Sequence, residues 1–369
     1  MNNKNFQTIF DCGFSKIRSG IFNKENKDEA FFCESEFFTN QSNLELKIEK
    51  IISSHEKNTN EYINNIILMI DSPKMLSIGI SIFKKLDGSK LKKTNIQFLA
   101  QEAKQQILKY YTNHNIAHII INNYKIDGVD YSYLPDEIKC DFISLDILFI
   151  CLPVDLVLYF KNIFSKFNIL IDQTICTSYV KSINYKENLH LTEHISFIDV
   201  GFNKTSIVSY SKNKILSLEV LPVGGNNITK DISNILETDI EESEKLKINF
   251  DQDNVISNNH SFSFEKLQKI IFARTEEILE LSSNSGGSNL LKMGQSNMVL
   301  MGEGSKILDN NYTNQISFSK DINFLEETTK DICQSGFNYV MKLNEHEVVV
   351  IPKKHTKQRF FEKLFHFFK

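Results

Sequence analysis

Two short turns in the sequence carry residue types that can hold phosphate groups. The first turn, "DCGFSK", begins at Asp11, and the second, "DVGFNK", begins at Asp199. A glycine in a hairpin turn lets backbone N–H groups approach phosphate oxygens, and an aspartate can hold Mg²⁺ through a water molecule. Each turn can therefore supply one side of a polyphosphate site. The residues that would do so are Asp11, Gly13, Ser15 and Lys16 in the first turn and Asp199, Gly201 and Thr205 in the second.

The two turns lie in segments that repeat one pattern. "FDCGFSKIRSGIF" and "IDVGFNKTSIVSY" place an aspartate, a glycine, a phenylalanine and a lysine at the same spacing before a hydrophobic strand. The two aspartates are 188 residues apart (199 − 11). Such a repeat indicates a duplicated lobe, and we expect the two hairpins to face each other across a cleft. The alternative is that each D-x-G turn only joins two strands.

Apolar runs alternate with amphipathic segments, which predicts an α/β protein. Buried strands are predicted at "NNIILMID", "ILFICLP" and "NMVLM", and the last of these runs into a glycine turn, "GEG". The segment "KTNIQFLAQEAKQQILKYYT" predicts a helix that is capped by Thr94 or Asn95.

The composition is that of a globular protein with two domains or one large two-lobed domain. The 369 residues are 41% hydrophobic and 24% charged, which is enough for sizeable cores. The net charge of −4 argues against a nucleic-acid partner. No sequence motif predicts a metal site, and no apolar run reaches the roughly 18 residues of a membrane span. Free thiols in a reducing cytosol are expected for Cys12, Cys33, Cys140, Cys151, Cys176 and Cys333.

The final segment, "RFFEKLFHFFK" (359–369), is strongly amphipathic. On a helix its large apolar side chains fall in one arc of about 160°. They are Phe360, Phe361, Leu364, Phe365, Phe367 and Phe368. From Lys353 onward there are six Lys/Arg and one Glu, so this tail carries +5 and the rest of the chain −9. An aromatic face flanked by cations such as Lys357, Arg359 and Lys363 predicts a helix at a membrane surface. The alternative is a helix packed on the protein itself or on a second subunit.

These motifs resemble those of the actin/Hsp70/sugar-kinase superfamily and, within it, the FtsA family of bacterial cell-division proteins. "FDCGFSKI" is similar to the first phosphate motif of the family, and "FIDVGFNKTSIVSY" is similar to the second. "LPVGGNNITKDIS" and "EESEKLK" resemble the segments that follow, and "MVLMGEGSKI" resembles the adenosine motif. The resemblance covers nearly the whole chain, with the motifs in the family's order.

The resemblance implies an actin-like two-lobed α/β fold with duplicated ribonuclease-H-like domains. The expected units are the first lobe core (1–72 and 148–193), an FtsA-type inserted subdomain (73–147), the second lobe core (194–235 and 297–346), its small subdomain (236–296), and a linker with a C-terminal amphipathic helix (347–369).

The resemblance also implies ATP with Mg²⁺ as the ligand of the cleft. Its motifs add the following residues to those named above: Phe14, Phe202, Asn203, Lys204, Gly224, Gly225, Glu244, Lys247, Gly302, Glu303, Gly304 and Ser305. Some of these depart from the family pattern. Phe202 adds bulk beside the phosphates, and the charge of Glu303 would repel them unless Lys16 and Lys204 offset it. We therefore expect ATP binding with little or no hydrolysis. Glu244 and Lys247 would reach the nucleoside, or else form an ordinary surface ion pair.

The function that the resemblance implies is that of a cell-division adaptor. It would lie on the cytoplasmic side of the inner membrane at the division site, held to lipids by the tail. It would bind the C-terminal peptide of FtsZ, form filaments with itself, and meet other divisome proteins through the inserted subdomain. An exposed arginine, Arg274, suits an acidic peptide, with Lys266 and Lys269 nearby. The alternative is that Arg274 is an ordinary solvated charge on the surface of a helix.

Two other functions stay open at the level of sequence. One is a PilM-like pilus-assembly adaptor with the same fold. The other is an enzyme, either an active ATPase or a sugar kinase of the superfamily. We do not expect an enzyme, because the sequence offers no convincing catalytic base near the phosphate turns. Asp172 and Gln173 are the only nearby candidates.

Overall fold

The computed structural model of the chain describes residues 5–26, 28–36, 44–135, 138–189, 194–211, 214–250, 263–285, 297–307 and 322–342. In chain order the elements are β1 (Phe6–Cys12), β2 (Lys16–Asn23), β3 (Ala30–Glu36), α1 (Leu44–Thr59), β4 (Asn65–Ile70), β5 (Leu76–Lys90), α2 (Lys93–Tyr110), β6 (His114–Ile126), β7 (Val129–Tyr131), β8 (Lys139–Pro153), α3 (Val154–Ser165), β9 (Leu170–Cys176), α4 (Thr177–Asn188), β10 (Ile195–Val200), β11 (Thr205–Ser211), β12 (Lys214–Leu221), α5 (Gly225–Leu236), α6 (Ile240–Ile248), α7 (Phe264–Asn284), β13 (Asn297–Met301), a 3₁₀ turn (Glu303–Ile307), β14 (Ile322–Phe324) and α8 (Thr329–Met341).

Two five-stranded sheets form the centres of two lobes, and they repeat one topology. The first sheet has the order β3-β2-β1-β4-β9 and the second has the order β12-β11-β10-β13-β14. In each sheet the first three strands are antiparallel and the last two continue in parallel with the central strand. The register of the first hairpin is also the same, since Cys12 pairs with Ile17 and Val200 pairs with Thr205. The duplicated lobe expected from the repeated sequence is present in the structure.

Two helices cross between the lobes and join their cores. Helix α4 continues from β9 of the first sheet and contacts β11 of the second. Helix α8 follows β14 of the second sheet and contacts β1 and β2 of the first. Phe10 and Phe197 of the two sheets and Phe337 of α8 are fully buried in one continuous hydrophobic core. This exchange of helices fixes the ends of the central strands of both sheets toward one cleft.

A third sheet is inserted into the first lobe between β4 and α3. Its order is β5-β8-β6-β7, and α2 packs against β5, β6 and β8 with a separate hydrophobic core. The inserted unit also contacts the second lobe, because the amide of Asn122 donates to the carbonyl oxygen of Ile215 at 2.8 Å. The predicted cap of α2 was wrong: the helix begins at Lys93, and Asn95 lies inside its first turn, where its side chain accepts the backbone N–H of Lys92 at 2.9 Å.

Helices α5, α6 and α7 form a small cluster beside the second sheet. Ile228 and Ile232 of α5 pack with Leu246 of α6 and with Leu267 and Ile271 of α7 in their own core. The predicted domain boundaries remain predictions. The inserted sheet itself runs from Leu76 to Pro153, and α5 packs with the small helical cluster.

All six cysteines are free thiols, as expected, and five of them are buried. Within the described ranges, no helix combines the length and the apolar character that crossing a membrane requires. The tail from 357 to 369, including the apolar face and the cations assigned to membrane binding, lies outside the described residues.

Candidate functional site

The two phosphate-type turns face each other across a cleft of about 510 Å³ between the lobes. The first turn joins β1 to β2, and the second joins β10 to β11. The "GEG" segment after β13 closes one side. Of the residues predicted for this site, the structure brings to the cleft Asp11, Gly13, Phe14, Ser15, Lys16, Asp199, Gly201, Phe202, Lys204, Gly302, Glu303 and Ser305.

The two turns close in the same way. The backbone N–H of Gly13 donates to the carbonyl oxygen of Lys16 at 3.0 Å, and that of Gly201 donates to Lys204 at 2.8 Å. The N–H of Gly225, the first residue of α5, then donates to the carbonyl oxygen of Gly201 at 2.9 Å. The second turn is therefore fixed to the start of a helix.

The glycine turn after β13 approaches the second phosphate-type turn closely. Gly302 has a φ of +92°, and a Cβ atom on it would lie 2.3 Å from Oδ1 of Asp199. Its backbone N–H donates to Oε2 of Glu327 at 2.8 Å. Only glycine fits this position, because a side chain would collide with the carboxylate and the φ angle disfavours L residues. The close approach holds the carboxylates of Asp199 and Glu327 near each other.

The carboxylate of Asp11 is already paired within the protein. Nη1 of Arg18 lies 3.1 Å from its Oδ2, and the hydroxyl of Thr177 donates to Oδ1 at 3.0 Å. Arg18 is directly opposite Asp11 in the β1–β2 hairpin, which places both side chains on one face of the sheet. Burial raises the pKa of Asp11, and the neighbouring positive charges of Arg18 and Lys181 oppose this rise.

The carboxylate of Asp199 is paired with a buried lysine. Nζ of Lys181, on the crossing helix α4, lies 3.0 Å from Oδ2 of Asp199 and 2.9 Å from Oε2 of Glu327. The hydroxyl of Tyr185 donates to the other oxygen of Glu327 at 2.7 Å. Burial by itself would raise the pKa of Asp199, but the charges of Lys181 and Lys204 outweigh it and the pKa is lowered. The pKa of Lys181 is raised, because the two carboxylates outweigh its burial.

Glu303, at the centre of the GEG turn, is held by three cations. Its carboxylate lies 2.6 Å from Nη2 of Arg18, 3.5 Å from Nζ of Lys16 and 2.8 Å from Nζ of Lys306. Its pKa falls to about 2, because the hydrogen bond from Lys306 and the charge of Arg18 outweigh the effect of burial. The prediction that Lys204 also offsets Glu303 was wrong. Lys204 is buried and lies 2.8 Å from Oδ2 of Asp71 instead, since that carboxylate is the partner within reach.

The cleft does not fit a magnesium ion at either aspartate. Both carboxylates already accept hydrogen bonds from buried partners of the chain, and the cations of Arg18 and Lys181 would repel a metal beside them. Among the residues that the structure describes, no group of His, Cys, Asp and Glu side chains is placed to hold a metal ion.

The residues predicted for the nucleoside lie in a second, adjoining cluster. Nζ of Lys247 is 2.5 Å from Glu244, 2.8 Å from Oγ1 of Thr229 and 3.1 Å from the carbonyl oxygen of Gly225. Burial lowers the pKa of Lys247 despite the charge of Glu244. Glu244 and Lys247 therefore form the ion pair of the alternative prediction, but the pair is largely buried and does not lie on the open surface. The cluster adjoins the cleft, since a Cβ on Gly225 would lie 3.8 Å from Cα of Gly304.

Other predicted residues do not face the cleft. The hydroxyl of Thr205 donates to the carbonyl oxygen of Val223 at 2.8 Å, and the side chain of Asn203 accepts from Asn226 at 2.9 Å. The two candidates for a catalytic base, Asp172 and Gln173, lie on β9 and are not among the residues that line the cleft.

The residues predicted for partner binding all lie on α7. Arg274 makes a bidentate contact with Asp231 of α5, at 2.6 and 3.1 Å, and its Nη1 also lies 2.5 Å from Glu277. Lys269 is largely exposed and pairs with Glu265 at 2.7 Å, one helical turn away. Lys266 donates to the carbonyl oxygen of Ile235 at 3.4 Å. Arg274 and Lys266 contact residues of α5 and so lie at the junction of α5 and α7.

Sequence reasoning missed the side chains that dominate the electrostatics of the cleft. They are Arg18, Asp71, Lys181 and Glu327. A signal existed for Arg18, because counting back from the turn places it opposite Asp11 in the hairpin. No comparable local signal marks Asp71, Lys181 or Glu327, which meet their partners only through the packing of the two lobes.

Comparison with known proteins points to one family. The sequence model of the family described as "Cell division protein FtsA" matches residues 196–293. The cell division protein FtsA of Bacillus subtilis (strain 168) is 36% identical over 104 residues, which are 24% of this chain and 24% of that protein. The FtsA of Buchnera aphidicola subsp. Schizaphis graminum (strain Sg) is 25% identical over 158 residues, which are 43% of this chain and 37% of that protein. The chain thus spans less than half the length of these curated relatives.

A solved structure shows that the fold is shared over nearly the whole chain. The structure described as "PilM-PilN type IV pilus biogenesis complex" superimposes with a TM-score of 0.62 and covers 88% of this chain and 89% of its own, at 11% identity. That likeness concerns the fold alone, and it confirms the predicted fold class. The chain is a two-lobed α/β protein of the actin-like fold, and it resembles the FtsA family of cell-division proteins.

Proposed function

We propose that the chain is a cell-division adaptor that tethers FtsZ filaments to the inner membrane. The observation that carries this proposal is the FtsA family match over 196–293. That segment contains α5 and α7, the helices that present Arg274 and its neighbouring cations. The actin-like fold of the whole chain supports the same assignment.

The surface for FtsZ in this proposal is the junction of α5 and α7. Arg274 is only partly buried, and a planar guanidinium suits bidentate contact with a carboxylate of an acidic peptide. Lys269 adds an exposed positive charge one to two turns away on the same helix. The FtsZ C-terminal peptide would compete with Asp231 for Arg274 and would gain the two lysines as further contacts.

The membrane partner in this proposal is the lipid surface of the cytoplasmic leaflet, at the division site. The tail supplies an apolar aromatic face and a charge of +5 on a body of −9. Interfacial helices are held by buried apolar area together with attraction to anionic headgroups. Each cation near such a leaflet contributes about 1 kcal/mol. The negative body and the positive tail also favour an orientation with the tail toward the membrane.

Self-association and further contacts complete the proposed role. We propose that the chain forms actin-like filaments with itself, and that the inserted sheet β5-β8-β6-β7 meets other divisome proteins. The inserted unit has its own core and presents exposed side chains such as Phe83 and Phe142 on the sheet. ATP, arriving as its magnesium complex, is the proposed ligand of the cleft. It binds weakly and with little or no hydrolysis, because it has to displace the ion pairs around Asp11 and Asp199.

A flotation experiment tests the tether. The full chain, FtsZ with GTP, and vesicles containing phosphatidylglycerol are mixed and separated on a density gradient. FtsZ is expected to float only when the full chain is present. Deleting 357–369 should leave both proteins at the bottom of the gradient, and Arg274→Ala should leave only FtsZ there. Lys166→Ala, in an exposed ion pair with Glu45 on the first lobe, is the control that changes neither result.

Two results would favour another function. If the full chain binds the membrane but FtsZ does not float with it, the tether is contradicted. Capture of a pilus-assembly protein instead would favour the PilM-like alternative, which is supported by the likeness in fold. Steady hydrolysis of Mg·ATP, measured beside a thermal-shift titration, would favour an enzyme. A thermal shift without turnover agrees with the adaptor.

A further inference from the structure

We propose that the two lobes are held closed by ion pairs of the chain itself, so that closure does not depend on a nucleotide. This inference deepens the nucleotide part of the proposed function and depends on it only for the identity of the competing ligand. The device consists of four positively charged side chains, Lys16, Arg18, Lys181 and Lys204, and their carboxylate partners in the cleft.

Each of the two turn aspartates, Asp11 and Asp199, is already paired with a cation of the chain. In an empty phosphate site these carboxylates would be left for a metal ion, but each has a buried cation of the chain at 3.0 to 3.1 Å. Arg18 and Lys181 are nearly fully buried, at 6% and 3% exposure, so water screens these pairs little. The guanidinium and the ammonium group therefore neutralise the charges that a metal ion would neutralise.

The ion pairs also cross from one lobe to the other. Arg18 of β2 reaches Glu303, which follows β13 of the second sheet, at 2.6 Å. Lys204, at the end of the second turn, reaches Asp71 at the end of β4 in the first sheet at 2.8 Å. Nζ of Lys181 in α4 also lies 3.0 Å from the carboxylate of Asp199 in the second sheet. Opening the cleft would separate these charges, and each would then need a new partner or water.

Positive and negative side chains are present in nearly equal number in the lining of the cleft. The side chains that line the cleft include five cations, Lys16, Arg18, Lys181, Lys204 and Lys306, and six carboxylates, Asp11, Asp71, Asp199, Glu303, Glu326 and Glu327. A binding site for a polyphosphate normally offers an excess of positive charge. Here the positive charges are matched from within, so Mg·ATP, which is itself negative, has to break pairs before it gains contacts.

The experiment combines X-ray scattering with nucleotide titration on the full chain. The wild-type protein without nucleotide should have the radius of gyration of the closed structure and should not contract when Mg·ATP is added. The double variant Asp71→Asn, Glu303→Gln removes two of the pairs that cross the cleft. It should have a larger radius of gyration without nucleotide, and it should bind Mg·ATP at least about tenfold more tightly by calorimetry.

Matched variants keep the test decisive. Glu45→Gln removes an exposed pair with Lys166 inside the first lobe and should behave as the wild type. Glu303→Gly, at the more exposed partner, gives the same readout if the double variant does not fold. A wild-type protein that is open without nucleotide and contracts with Mg·ATP would overturn the inference while supporting the proposed ligand. Variants that keep the wild-type radius and affinity would overturn it as well, and neither result bears on FtsZ flotation.

Discussion

Nη2 of Arg18 lies 2.6 Å from Oε1 of Glu303, although 285 residues separate them in the chain. The two residues belong to different lobes, and Arg18 also holds Asp11 of its own hairpin at 3.1 Å. One guanidinium therefore connects the first phosphate-type turn with the GEG turn that follows β13. The charge of Glu303 is compensated within the protein by Arg18, Lys16 and Lys306.

Removing the buried cation of the second turn should destabilise the protein strongly. Lys181→Met leaves Asp199 and Glu327 without their shared partner in a buried site. Breaking a buried ion pair on one side costs roughly 3–5 kcal/mol. We expect the free energy of unfolding, measured by urea denaturation, to fall by that amount. Lys342→Met, which breaks an exposed pair with Glu187, should cost less than about 1 kcal/mol, and equal losses in the two variants would contradict the buried network.

Gly302 should tolerate no side chain. Gly302→Ala would place a Cβ 2.3 Å from Asp199 Oδ1 and 2.6 Å from the carbonyl oxygen of Val200, at a φ of +92°. Gly128 has a similar φ of +86° but open space around it, so Gly128→Ala reports the backbone strain alone. We expect Gly302→Ala to lower the midpoint of thermal unfolding clearly more than Gly128→Ala does. Equal midpoints would mean that the turn does not approach the carboxylate this closely.

The stability of the first lobe should depend on pH through His55. This side chain is fully buried between α1 and β2, and its Nε2 lies 3.0 Å from the hydroxyl of Ser19. Burial lowers its pKa from 6.5 to about 4. As the pH falls, His55 is therefore protonated in the unfolded state before it is protonated in the folded state. The contribution of neutral His55 to the free energy of unfolding is complete above pH 6.5 and is lost as the pH falls from 6.5 toward 4. That shift corresponds to about 3 kcal/mol.

The comparison with His55→Leu isolates this contribution from the other titrating groups. We expect the difference in free energy of unfolding between the wild type and His55→Leu to change by about 3 kcal/mol between pH 7 and pH 4, to the disadvantage of the wild type. Urea denaturation at several pH values measures it. A difference that stays constant over this range would show that His55 is charged in the folded protein or reaches water.

Asp231 should act as an internal competitor on the surface proposed for FtsZ. In the wild-type protein the guanidinium of Arg274 contacts the carboxylate of Asp231 at 2.6 and 3.1 Å. Asp231→Asn removes the negative charge and so weakens this contact. A partly exposed pair of this kind is worth about 1 kcal/mol, so the affinity for an acidic FtsZ peptide should rise about fivefold. Fluorescence anisotropy with a labelled peptide measures it. Glu265→Gln, which frees the exposed Lys269 on the same helix, should change the affinity less, and a loss of affinity in Asp231→Asn would argue for another binding surface.

Much of the architecture could be read from local patterns. The duplicated hairpin was visible because the turn at Asp11 and the turn at Asp199 repeat residue types at fixed spacing, and hairpin register follows from turn length. Buried strands were visible as apolar runs. The start of α2 could not be read in this way. Asn95 was expected to precede the helix as its cap, but it lies inside the first turn and accepts the backbone N–H of Lys92.

The sequence by itself determined that two similar turns exist and that they carry aspartate, glycine and lysine. Only the tertiary structure decided what those side chains contact, because the partners come from elements far apart in the chain. Lys204 points to Asp71 across the cleft, and Lys181 reaches Asp199 from a helix that crosses between the lobes. An ion pair depends on distances of a few ångströms between groups, and such distances are set by the packing of whole sheets and helices, not by local spacing.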